Sequence, residues 1–451
     1  MNWIAWTILL FLIADFLLRL VADRLNLSAL SDEIPESFTG VFEPEKYRQS
    51  QNYLRANTRF GQIAAAVDLL VLVVFWFGGG FAFVGEWTRS FGWGPMATGL
   101  AYIGVLAGLK TLVDQPFSLY ATFVIEQRFG FNKTSLGTWI KDRCKALILA
   151  IGLGIPLLAG VLAFFQYAGA SAWIWCWAMV TLFMIVVQFI APAWIMPLFN
   201  RFDPLEEGEL KDAIMAYART INFSLDNVYV MDGSKRSSKS NAFFTGFGRH
   251  RRIVLFDTLI ARHTTDELVA VLAHEMGHYQ LRHILKMMVL GILQTGMLLF
   301  LMSLVINTPA LFEAFYVQQP SVYAGLVFFG LLYAPVDFFL GVVVHGVSRR
   351  HEFAADHFAV TTTGNIRPMV DALKKLSVHN LSNLSSHPLY VFLNYSHPPV
   401  LRRIAALEEL KAEDSAAVNL PGLIGNETVS QRLDTQREGE KNEHRTSNVE
   451  H

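Results

Sequence analysis

The chain has 451 residues, 53% hydrophobic and 17% charged, with a mean hydropathy of +0.35, too apolar for an ordinary water-soluble enzyme and suited to a membrane protein. A net charge of -1 and a pI near 6.9 provide no basic field, which excludes nucleic acid as an expected partner. Of the two cysteines, Cys144 lies among basic residues and Cys176 in an apolar run, so neither a disulfide framework nor a cysteine metal site is expected.

A helix needs about 20 predominantly apolar residues to cross hydrocarbon. Seven stretches qualify: roughly 3–22, 61–84, 98–125, 146–168, 172–197, 285–306 and 322–346. The first carries Asp15 and Arg19 and lacks a basic leader or a small-residue cleavage pattern, so it reads as a retained span. Basic residues then set orientation. Arg24, Lys46, Arg48 and Arg55 follow span one; Arg128, Lys133, Lys141 and Arg143 follow span three; Arg349 and Arg350 end span seven. The 4–5 and 6–7 connections have no Lys or Arg, and the 2–3 connection has only Arg89. This alternation predicts the N-terminus outside and the polar segments in the cytosol, in a bacterial inner membrane or the endoplasmic reticulum.

The expected architecture is therefore mainly α: a polytopic membrane protein with seven transmembrane helices plus a small α/β domain. Residues 1–197 hold spans one to five and 285–346 hold spans six and seven; 198–284 and 347–411 are the polar segments. The stretch 412–451, rich in charged and small polar residues, reads as a disordered tail. Asp15, Arg19, Asp68, Lys110, Asp114 and Asp337 lie within spans, where each costs a few kcal/mol unless it meets a partner or water. They either pair inside the bundle or line a hydrated internal cavity.

In the first polar segment, 227–231, 240–246 and 252–256 read as short strands. The middle one could present an open edge on which an extended peptide adds as a further strand, with Asn241 and Ala242 supplying hydrogen bonds. Thr264, with Glu267 three residues on, then signals a capped helix start. On that helix His274 and His278 stand four apart, so both imidazoles face one ion, and Glu275 is placed to act as base toward water there. This HExxH spacing predicts one Zn2+ per chain. His283, five residues further, reads as an interfacial residue.

Zinc needs a third protein ligand and an open position. If span seven continues as a helix beyond Arg350, Glu352 and Asp356 share a face at i, i+4. Glu352 would ligate while Asp356 accepts from a histidine N–H. His351 is the competing ligand, pointing about 100° away. Further on, His397, before Pro398-Pro399, could donate to an oxyanion, and Arg403 could orient Glu352 or Asp356.

These residues resemble the type I CAAX prenyl proteases. The similar stretches are Ile125-Glu126 with Phe129 to Thr134, Ser234 to Ser238 leading to Ser240-Asn241-Ala242-Phe243, Ile253 to Leu259, the HExxH, Ser348-Arg349-Arg350 with Glu352-Phe353 and Ala355-Asp356, and Ser396 to Pro399. The resemblance implies seven long helices ringing a large water-filled chamber with zinc toward its cytosolic side. It also implies peptide or protein substrates, with or without a C-terminal prenyl group, met at the lipid bilayer; a monomer is expected. Three functions then compete: a zinc endopeptidase of the CAAX type or a membrane quality-control protease without prenyl requirement; a zinc transporter or sensor; and an inactive client-binding scaffold. A transporter would place its ligands inside the spans near midplane. A scaffold would not need Glu275.

Overall fold

The computed structural model describes residues 1–418 apart from 224, 226 and 246–251. The chain divides into two compact units, Met1–Ala405 and Ala406–His451, and the described part of the second is helical. Gly246, the last residue of the expected middle strand, and the tail from residue 419 lie outside the described residues.

Among the described residues, seven helices are long and apolar enough to cross a membrane: Trp3–Ser28, Pro44–Phe77, Pro95–Glu126, Leu136–Tyr167, Gly169–Leu198, His283–Val305 and Val322–Thr363. Large apolar side chains such as Leu10, Leu70, Leu112, Ile148, Trp194 and Phe339 point outward from them. A belt of this kind is costly in water and comfortable in lipid, and the protein is an integral multi-pass membrane protein.

Span two departs from the reading of 61–84. It begins at Pro44, and the chain breaks at Gly78 and Gly79, the latter at φ 75, before a separate helix α1 (Gly80–Ser90). Only glycine adopts this left-handed conformation without steric cost. The apolar run is thus shared between a span and a helix lying after it.

The polar segments contribute β1 (Phe202–Pro204), α2 (Glu209–Thr220), β2 (Asn227–Met231), β3 (Ala242–Thr245), β4 (Arg252–Phe256), α3 (Thr265–Gln280), α4 (Ile366–His379), α5 (Pro388–Asn394) and α6 (Val400–Val418). Strand β1 was not expected; three residues are too few to carry an alternating pattern. Helix α6 also reaches past the boundary at residue 411 drawn from composition. The sheet order is β1-β2-β4-β3, so β3 is an edge: it pairs antiparallel to β4 with Ala242 opposite Leu255 and Thr245 opposite Arg252. Val228, Ile253 and Leu255 from the sheet pack with Ile214 of α2 and Leu268, Leu272 and Met276 of α3, all buried. Burying such side chains is worth roughly 1.5–3 kcal/mol each, which fixes α3 against the sheet.

Five of the six charged residues named within the spans form ion pairs, and four of these also line a space. Arg19 Nε lies 2.9 Å from Asp15, and Lys110 Nζ lies 3.2 Å from Asp68 and bonds Asp114. Asp15, Arg19, Asp68 and Lys110 border a cavity of about 760 Å³ whose walls are otherwise mainly apolar, including Phe16, Leu72 and Leu106.

Candidate active site

Helix α3 starts with the expected cap: Glu267 N donates to Thr264 Oγ1 at 3.4 Å and Thr264 N to the Glu267 carboxylate at 3.2 Å. Lys375 of α4 adds a 2.6 Å ion pair to the same carboxylate. The span-seven helix runs 42 residues, about 63 Å at 1.5 Å per residue. That is about twice the thickness of hydrocarbon, so its last turns, with Glu352 and Asp356, project beyond the bilayer beside α3. Gly277 sets the approach of the two helices. A Cβ there would stand 3.0 Å from Phe358 Cδ1.

The three expected ligands meet. His274, His278 and Glu352 each offer one donor atom, and these atoms lie within 4.8 Å of one another. His274 Nε2 is 3.1 Å from His278 Nε2 and 3.5 Å from Glu352 Oε2; His278 Nε2 is 3.4 Å from Glu352 Oε1. Two imidazoles and a carboxylate with converging lone pairs fit a divalent zinc-like ion and leave a further position open.

Around them, His274 Nδ1 lies 2.8 Å from Asp356 Oδ1, so the carboxylate holds the tautomer with Nε2 free for a metal. Arg403 donates to Asp356 at 2.7 and 2.6 Å and reaches Glu352 Oε2 at 3.4 Å. Burial works against charge on His274, but Asp356 and Glu352 outweigh it and raise its pKa to about 9. Glu275 lies beside β3: burial raises its carboxyl above the ordinary value, His274 and His278 oppose this, and the Phe244 backbone hydrogen-bonds to it. His397 sits at the exposed rim, Nε2 3.3 Å from Glu352 Oε1. Asn241 is exposed at the start of β3, its side-chain oxygen accepting from Ala242 N at 2.9 Å.

His283 and His351 stand outside the His274, His278 and Glu352 cluster. His283 opens span six and is buried, with Nδ1 3.0 Å from His278 Nδ1, because the chain turns sharply at Arg282 (φ 58). His351 is turned from the ligand cluster and stacks on His283 with ring centroids 3.9 Å apart. Sequence reasoning also missed Asn380, whose amide accepts from Ser240 N at 3.0 Å and donates to Ser240 O at 3.1 Å, holding the residue before Asn241. No local pattern announces a contact between residues 140 apart.

A helix-borne pair of histidines, a carboxylate from a second helix, a half-buried glutamate beside them and an edge strand, in a seven-span membrane protein, define a membrane metalloprotease. The family pattern for the CAAX prenyl protease N-terminal region with five membrane helices matches residues 23–201, and that of peptidase family M48 matches 204–411. The chain belongs to the type I CAAX prenyl protease family and is a membrane metalloendopeptidase of that type. The CAAX prenyl protease 1 homolog of Arabidopsis thaliana is 36% identical over 418 residues, 89% of this chain and 97% of that protein. CAAX prenyl protease 1 of Saccharomyces cerevisiae is 34% identical over 438 residues, 90% and 96% of the two chains. The crystal structure of S. mikatae Ste24p matches with a TM-score of 0.86 at 32% identity, over 90% of this chain and 100% of that one.

Proposed function

We propose that the chain is a zinc endopeptidase that removes residues from C-terminally prenylated peptides, with His274, His278 and Glu352 as metal ligands and Glu275 as general base. Zinc bound there supplies Lewis acidity toward a carbonyl and makes water more acidic. Glu275, raised in pKa by burial, takes the proton from the attacking water and returns it to the departing amine. Substrate backbone adds antiparallel to the free edge of β3, with Asn241 and Ala242 bonding it. His397 donates a hydrogen bond to the oxygen that gains charge. Arg403 and Asp356 act through the ligands, holding Glu352 and His274 in place.

The observation that carries the prenyl reading is a shared wall. A cleft of about 580 Å³ with mixed polar and apolar walls runs from Ser240 and Asn241 past Asn380 to His397 and Arg403, and Asn394 lines both this cleft and the mainly apolar 760 Å³ cavity between the spans. Peptide in the one leaves an attached isoprenoid facing the other. Each CH₂ so buried adds up to about 0.8 kcal/mol. The alternation of Lys and Arg along the chain supports an outside N-terminus and cytosolic polar segments.

The test compares a farnesylated C-terminal peptide with its unprenylated form on purified protein. A higher kcat/KM for the farnesylated peptide is expected, with slow cleavage of the other, since strand pairing needs no lipid. Equal kcat/KM would remove the prenyl requirement and assign the enzyme to clearance of membrane proteins instead.

A further inference from the structure

The stretch Ile125 to Thr134 stands apart from the metal centre, yet it packs around the Lys239 ammonium, two residues before Asn241. Glu126 ends span three and Tyr53 belongs to span two; Tyr53 Oη donates to Glu126 Oε1. Lys239 Nζ donates to both, 2.8 Å from Tyr53 Oη and 3.2 Å from Glu126 Oε1. Its ammonium also lies 4.5 Å from the Phe131 ring centroid and 5.1 Å from that of Tyr53. Carboxylate, phenol and two aromatic faces together satisfy a lysine cation at a site only partly open to water. Phe129 and Phe131 meet the Tyr53 ring edge-on at 5.0 and 5.1 Å, which fixes the cage.

The backbone on either side of Lys239 is held as firmly. Asn132 and Ser237 form an antiparallel bridge; Lys133 N donates to Arg236 O and Ser238 N to Phe131 O, each at 3.0 Å. Gly130 makes the turn that allows this at φ 78, and its carbonyl accepts from Ser238 Oγ at 3.0 Å. The Arg236 guanidinium grips Asp142 at 2.8 and 3.0 Å. Beyond Lys239, whose carbonyl accepts from Thr258 Oγ1 at 2.9 Å, the Asn380 amide clamps Ser240 from both sides. Phe256 N then donates to Asn241 O at 3.1 Å, and β3 begins.

We propose that Lys239 is a positioning residue for substrate: the Glu126–Tyr53 pair at spans two and three anchors it, and it fixes where the β3 edge starts beside the metal. The membrane half thereby sets the register of the strand on which the peptide pairs. Lys239 stands outside the ligand cluster, and its ammonium bonds Tyr53 and Glu126 of spans two and three. The inference rests on the reading of β3 as the substrate edge.

The test uses full-length purified protein and an extended farnesylated peptide. In Lys239→Met, KM rises about tenfold while kcat stays within about threefold and bound metal is unchanged, the pattern of lost binding rather than lost chemistry. Lys239→Arg restores most of the KM. Glu126→Gln raises KM as Lys239→Met does, and the double variant is no worse than either alone, because one interaction is removed once. If Lys239→Met does not accumulate as folded protein, Glu126→Gln with Lys239 intact carries the same comparison. Asn241→Ala separates the failures. A raised KM there with wild-type KM in Lys239→Met and Glu126→Gln overturns the positioning role alone; wild-type KM in all three overturns the β3 reading and this inference with it. Loss of metal or of kcat in Lys239→Met, with KM unchanged, also contradicts the proposal.

Discussion

Asp356 Oδ1 accepts from Arg403 Nη2 at 2.6 Å and lies 2.8 Å from His274 Nδ1, so one buried carboxylate joins a guanidinium to a metal-ligand imidazole. Asp356→Asn weakens the hold on the His274 tautomer and leaves the buried Arg403 with Glu352 as its remaining ion-pair partner. Metal affinity is expected to fall about 10–100-fold, the usual cost of losing such a support, with a stability loss smaller than the about 3–5 kcal/mol of a fully uncompensated buried charge. Metal titration against a chelator of known affinity measures the first and thermal unfolding the second. Wild-type affinity in Asp356→Asn would show that His274 is oriented by something else.

Gly277 lies between the two ligand histidines, where a Cβ would come within 3.0 Å of Phe358 Cδ1 and 3.3 Å of its Cβ. Gly277→Val forces α3 and the span-seven helix apart. Overpacking of this kind costs about 1–3 kcal/mol, and here the displacement separates His274 and His278 from Glu352. Both melting temperature and metal affinity should drop. A variant that melts lower yet binds metal normally would mean that the ligands do not depend on this helix contact.

Much of this centre could be read from spacing because its geometry is local. The i, i+4 pair His274 and His278, the i, i+4 pair Glu352 and Asp356, and the Thr264–Glu267 box each follow from one helical period. The seven spans follow from length and apolarity. Other features are invisible to such patterns. A hydropathy window runs across Gly78 and Gly79, since it counts composition and not backbone conformation, and the helical stretch from Pro44 is too polar to register. The His278–His283 contact depends on a left-handed Arg282, which no side-chain pattern marks. The Lys239–Glu126 and Asn380–Ser240 contacts join residues 113 and 140 apart and exist only once the fold brings the segments together.

Acid should loosen the polar domain through His379 and His263. Burial, followed by Arg262 and Lys46, pushes His379 down to about 4, and burial also lowers His263. An unfolded histidine titrates near 6.5, so these rings bind protons more readily when the chain is unfolded. Their stabilising contribution is complete above about pH 6.5 and is lost as pH falls below it, that of His379 down to about 4. In detergent, the melting temperature should decline between pH 7 and 5, and His379→Gln should flatten that decline. An unchanged slope in His379→Gln would place the sensitivity elsewhere.

The most direct test of the proposed chemistry separates binding metal from using it. Glu275→Gln removes the base and leaves the three ligand side chains intact. With metal content measured by elemental analysis and hydrolysis of the farnesylated peptide measured on the same preparation, the variant should carry about one zinc per chain, as His274, His278 and Glu352 require. Its hydrolysis should fall about 10²–10⁴-fold. Activity within threefold of the unaltered protein, at full metal occupancy, would contradict the assignment of Glu275 and with it the proposed mechanism.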